Sequence, residues 1–101
     1  MLVYNITIKI IHAIETDWVN WQKQEHIPEI MATGLFTDYR FYKLLEVEET
    51  DGLTYVVQYF AATKLAYEQY IELYAPTLRK KSLDKWGNQF IAFRTIMQHV
   101  H

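Results

Sequence analysis

Cysteine is absent from this sequence, so disulfides, thiolate catalysis and thiolate metal sites are excluded. Three glycines leave no room for a glycine-rich phosphate loop. No nucleophile elbow or His-Glu metal pair occurs either. No cofactor is therefore expected. Neither sign of charge dominates. Ten basic and twelve acidic residues are spread along the 101 positions for a net charge of −2. Without a basic face, a nucleic-acid partner is not expected. No long apolar run is present. The opening MLVYNITIKI interleaves Asn5, Thr7 and Lys9 with apolar residues, and no basic residue precedes it. It reads as a strand, and neither as a signal peptide nor as a membrane span. The expectation is a cytoplasmic protein without a membrane partner.

Aromatic residues, by contrast, are abundant. They make up 16% of the chain, eight of them Tyr, and half of all residues are apolar. At 12.1 kDa the chain is one domain, residues 1–101. A domain of this size buries only roughly 60% of its unfolded-chain surface. Part of its apolar surface is therefore expected to need a partner.

Leu2, Tyr4, Ile6, Ile8 and Ile10 alternate with Val3, Asn5, Thr7 and Lys9 at the period of a strand. Thr16 and Asp17 suit a helix start. Trp18, Trp21, Gln22 and Glu25 share one side of that helix; Val19, Lys23, His26 and Ile30 share another. Pro28 has no N–H to donate, so the helix is expected to end near Ile27, with a short turn after Pro28 closed by Gly34 in a left-handed conformation. A second strand is expected from Leu35 to about Glu48. Asp51-Gly52 then forms a type I′ hairpin turn, and Leu53 to Ala62 returns. Thr63 caps a second helix that Pro76 kinks or restarts and that Gly87-Asn88 stops. The last strand runs from Gln89 to Val100.

The order β-α-β-β-α-β is the α+β, ferredoxin-like split βαβ arrangement, with a four-stranded antiparallel sheet. Right-handed crossovers place both helices on one face of the sheet. Yet Tyr42, Leu44, Phe60, Phe90 and Ile96 give the other face bulky apolar groups as well. A sheet apolar on both faces is usually covered on both. A second copy of the chain is the simplest cover, giving a homodimeric α/β barrel.

The residues Tyr4-Asn5, His26-Ile27-Pro28, Ala32-Thr33-Gly34-Leu35-Phe36, Tyr55 to Phe60, Ala75-Pro76 with Leu78-Arg79, and Ala92-Phe93-Arg94-Thr95 carry a family resemblance. Through them the whole chain resembles a family of small uncharacterised bacterial proteins assigned as a domain of unknown function. That family is similar in fold to the dimeric α/β-barrel superfamily, which includes cofactor-free antibiotic monooxygenases, haem-degrading enzymes and small-ligand sensors. The resemblance implies the fold and carries no catalytic residue over.

Strand parity selects the candidate ligand-binding set: Asn5, Thr7, Arg40, Tyr42, Gln58, Phe60 and Arg94, assigned to the face away from the helices. An apolar cavity with a few convergent polar groups is the usual makeup of a small-molecule site. Two guanidiniums suit a carboxylate or phosphate, although Asp38 stands two residues from Arg40 and could neutralise it. The same residues could equally form a satisfied polar network that fixes dimer register. His26 reads as a residue complementing a helix end, with general-base chemistry as its functional alternative. Trp18 and Trp21 read as core or contact residues rather than a ligand entrance. The run Arg79, Lys80, Lys81 lies late in a helix, where cations favour the dipole. His12, His99 and His101 lack metal-ligand spacing.

Three functions fit these residues. The first is a homodimer that binds a small anionic or aromatic molecule between its sheets. The second is a cofactor-free enzyme of the monooxygenase or isomerase kind. The third is a dimerisation or interaction module without a ligand.

Overall fold

Alternation decides the sheet, and the computed structural model, which describes residues 1–101, shows on which side each residue falls. β1 (Leu2–Ile10) buries Tyr4, Ile6, Ile8 and Ile10. β2 (Asp38–Lys43), β3 (Leu53–Ala61) and β4 (Phe90–Gln98) complete a four-stranded sheet in the order β2-β3-β1-β4. Every neighbouring pair is antiparallel. The chain has the ferredoxin-like fold.

The first crossover is one helical rod in three pieces: α1 (Glu15–Trp21), a π-helical turn (Gln22–His26) and α2 (Ile27–Met31). Expecting an end near Ile27 therefore needs correction. Proline removes a hydrogen bond and crowds the carbonyl four residues earlier. The rod widens to meet this, the Ile27 N–H reaching back five residues to the Gln22 carbonyl. Pro28 then sits in the first turn of α2, where its missing donor is tolerated. Thr16 does not cap α1, which grows out of a 3-10 turn at His12–Ile14. Gly34 does hold a left-handed conformation, with φ +76°.

The second crossover follows the sequence closely. The Thr63 hydroxyl accepts the Ala66 N–H at 3.1 Å and starts α3 (Lys64–Leu73). The helix breaks at Tyr74, and Pro76 opens α4 (Ala75–Trp86). Gly87, at φ +58°, ends it. Leu65, early in α3, is exposed.

The β2–β3 connection is longer than a two-residue turn. β2 stops at Lys43, Leu44 N–H still bonds the Thr54 carbonyl at 2.9 Å, and residues 44–52 loop out. Gly52 serves close approach instead of a type I′ turn: a Cβ there would strike the Ile10 carbonyl oxygen. Between helices and sheet lies one core that joins Ile10, Val57 and Tyr59 to Trp18, Ile27, Ile30 and Tyr70. The opposite sheet face has no covering element. Val3, Val56 and Phe60 are half-buried there, and Tyr42, Ile91, Phe93 and Met97 are exposed. No helix is long and apolar enough to cross a membrane.

Candidate functional site

Register divides the sequence-selected residues into two groups. Asn5 stands opposite Gln58, Arg40 opposite Gln58, Tyr42 opposite Val56 and Asp38 opposite Phe60. Residues directly opposed in a ladder share a face. Asn5, Thr7, Arg40, Tyr42, Gln58 and Phe60 are thus together on the uncovered face. Arg94 is not with them. It stands opposite Ile6, and Phe90 and Ile96 stand opposite Ile10 and Tyr4, so all three face the helices. The opposite assignment fails because β4 is apolar on both parities, which leaves its phase undetermined by alternation.

On the uncovered face the polar groups satisfy one another. Gln58 Nε2 donates to Asn5 Oδ1 at 3.3 Å, and Asn5 Nδ2 donates to Thr7 Oγ1 at 3.3 Å. Arg40 donates to Asp38 at 2.6 Å and lies over the Phe60 ring. The hydrogen bond from Arg40 holds the Asp38 carboxyl below its usual range. No free cation is left among these residues.

Under the helices the situation differs. A cleft of about 350 Å³ opens between α4 and the β1–β4 edge of the sheet. Ile6, Ile8, Ala92 and Phe90 form its floor, Trp18 one wall, and Arg79, Ser82 and Leu83 the roof, with Arg94 at the side. Ala75, Leu78 and Trp86 are the buried face of α4. Arg79, four residues after Ala75, falls on that face by helical spacing. Its Nη2 donates to the Tyr4 hydroxyl at 3.0 Å, while its Nε is buried without a partner. Tyr4 is itself fixed by rings on several sides, those of Phe36, Tyr67, Tyr70 and Tyr59.

Five ion pairs form in the protein, and neither Arg79 nor Arg94 belongs to one. No acidic side chain lines the cleft. Burial raises the Tyr59 and Tyr70 hydroxyls well above the usual phenol range, so both stay neutral. The arrangement is therefore two unneutralised guanidiniums at a pocket of apolar and neutral groups, and it can take a bidentate anion.

The π-helical turn contributes His26 to the same layer. Its ring stacks on Trp21, and its Nδ1 is buried without a hydrogen-bond partner. Burial pulls its pKa down from 6.5 to about 4, Lys81 and Arg94 adding to the effect and Glu29 opposing it. Lying inside the continuous rod, it does not complement a helix end as the sequence suggested. Trp18 is a core residue that also walls the cleft. No group of three or more His, Asp or Glu side chains comes close enough to hold a metal.

A family model described as a domain of unknown function, DUF4286, matches residues 1–100. The chain belongs to that family. No curated protein matches it. Among solved structures, the DUF4286 chain is similar to an ethyl tert-butyl ether D (EthD) family protein from Bacillus halodurans. There the TM-score is 0.74 at 10% identity, over 99% of this chain and 100% of that one. It is also similar to SnoaB, a cofactor-independent oxygenase from Streptomyces nogalater, with TM-score 0.68, 9% identity, and 99% and 94% coverage. A dimeric ferredoxin-like protein from an uncultured marine organism gives TM-score 0.60 and 13% identity over 100% and 96% of the two chains. At these identities the likeness is one of fold.

Sequence reasoning placed Arg94 among the candidates and missed Arg79, which lines the cleft, and Tyr4, which Arg79 bonds. Arg79 was read with its basic neighbours Lys80 and Lys81, whose side chains pair outward with Asp84 and Glu29. The signal that separates it is its spacing from Ala75 and Leu78.

Proposed function

We propose that this DUF4286 protein is a homodimer whose protomers each bind a small anionic molecule with an apolar body. The uncovered sheet face forms the dimer contact, and the cleft under α4 takes the ligand. One observation carries the ligand reading. Arg79 and Arg94 line a single apolar cleft, and neither has an acidic partner within the chain. Arg79 is half-buried with its Nε unpartnered, and Arg94 stands exposed beside it, so an anion entering from solvent can pair with both guanidiniums. The satisfied network of Asn5, Thr7 and Gln58 supports the complementary reading for the other face, polar register marks within an apolar contact. A dimer formed through that face leaves both clefts open to solvent.

Thermal unfolding in the presence of anions tests this. Benzoate should raise the melting temperature of the wild type by mass action, and chloride at equal ionic strength should not. Arg94→Met and Arg79→Met should each lose the response while remaining folded by circular dichroism. A flat titration of the wild type, or an undiminished response in both variants, would overturn the assignment.

A further inference from the structure

The cleft is not uniform along its length, and its gradient identifies the class of ligand. Arg94 stands opposite Ile6, and Arg79 reaches Tyr4, so both guanidiniums lie at the Tyr4–Ile6 end. From there the β1–β4 ladder continues through the pair Ile8–Ala92 to Ile10–Phe90. The cleft wall contributed along that stretch is Ile8, Ala92, Phe90 and Trp18, all apolar. The four residue steps of β1 from Ile6 to Ile10 span roughly 13 Å. One end is therefore cationic, and the strand wall of the rest is apolar, with Ser82 of α4 the only hydroxyl in the lining.

We infer that the ligand is an amphipathic monocarboxylate, its carboxylate at Arg79 and Arg94 and its apolar body extending toward Trp18 and Phe90. The inference rests on the anion site proposed above and goes further by excluding other anions. A planar carboxylate matches the fork of a guanidinium. Inorganic phosphate would occupy only the cationic end and leave the apolar walls wet. A dicarboxylate of similar length would carry its second charge among Ile8, Ala92 and Phe90, where nothing pairs it. An uncharged analogue of the same shape would fill the apolar end and leave both guanidiniums unpaired.

Four probes on the whole protein decide among these, by isothermal titration calorimetry: 3-phenylpropionate, 3-phenylpropanol, glutarate and phosphate. The first should bind at least roughly tenfold more tightly than each of the others, since glutarate and phosphate lack the apolar body and the alcohol lacks the carboxylate. Ala92→Leu, which fills the apolar end, should weaken 3-phenylpropionate by a similar factor. In the wild type, nuclear Overhauser contacts should join the phenyl protons to the Trp18 indole and the Ile8 methyls, which keeps the test open if the variant fails to fold. Equal binding of glutarate or phosphate would overturn the monocarboxylate class and leave the anion site standing. Equal binding of the alcohol, or phenyl contacts elsewhere, would overturn the orientation. If no anion binds, the anion site itself falls, and this inference with it.

Discussion

The imidazole of His26 lies against the indole of Trp21, with ring centroids 4.6 Å apart and planes 17° apart. The stack is possible because the π-helical turn spans Gln22–His26 and brings positions five apart into line. Trp21 in turn meets Trp86 edge-on, which ties the first crossover to the end of α4. Burial of the imidazole weighs most heavily on its charged form.

A pH dependence of stability follows, and its sign is fixed. Burial first, then Lys81 and Arg94, depress the folded-state pKa of His26 from 6.5 to about 4. Below pH 6.5 the unfolded chain takes up a proton that the folded chain refuses, so stability is full above that value and falls as pH drops toward 4. The expected loss between pH 7 and 5 is about 2 kcal/mol, from 1.36 kcal/mol per pKa unit. Urea unfolding at the two pH values measures it. His26→Gln should flatten this window. A wild type equally stable at both values would place the imidazole in water.

The sheet was legible because β1 and β3 each carry one clearly apolar parity, and burial in the structure follows it without exception along β3. The helix stops were legible where a single residue type enforces them, as at Pro76 and Gly87. The site was only half legible. Arg94 could be recognised as a cation among apolar neighbours, but β4 has Phe90, Ala92 and Ile96 on one parity and Ile91, Phe93 and Met97 on the other. Only pairing with β1 resolves which set meets the helices. The π-helical turn is likewise a tertiary outcome: it keeps Ile27 and Ile30 in the core despite Pro28, and local propensity does not contain that reward.

Gly34 offers a clean test of the junction between α2 and β2. Its φ is +76°, and its N–H bonds the Met31 carbonyl at 3.1 Å, so the left-handed conformation closes the helix. A Cβ built there meets nothing within 4 Å. The cost of a side chain is therefore conformational and not steric. Gly34→Val should destabilise the fold by about 1–2 kcal/mol, and Gly34→Asn by less, since Asn tolerates this region. Chemical denaturation of the two variants should rank them in that order. Equal midpoints for wild type and both variants would show that the junction relaxes out of the left-handed region.

The uncovered sheet face makes the last prediction, which concerns assembly. Met97 stands opposite Val3 and Val3 opposite Phe60, an apolar row across the face, while Phe93 and Ile91 stand opposite Thr7 and Lys9 of β1. Phe93 and Ile91 are 66% and 59% exposed in the single chain. Large apolar groups exposed on one face mark an interaction surface. A four-stranded face meeting its own copy should bury more than about 1,200 Å² in total, the lower range of stable interfaces. Light scattering at low micromolar concentration should therefore return twice the 12.1 kDa of one chain. Phe93→Glu sets a carboxylate within the apolar part of this face and should return the monomer mass. Because that side chain points away from the cleft, the folded monomer should keep its anion response. A wild type that scatters as a monomer would leave this face to some other partner, and a Phe93→Glu dimer would move the contact off the sheet.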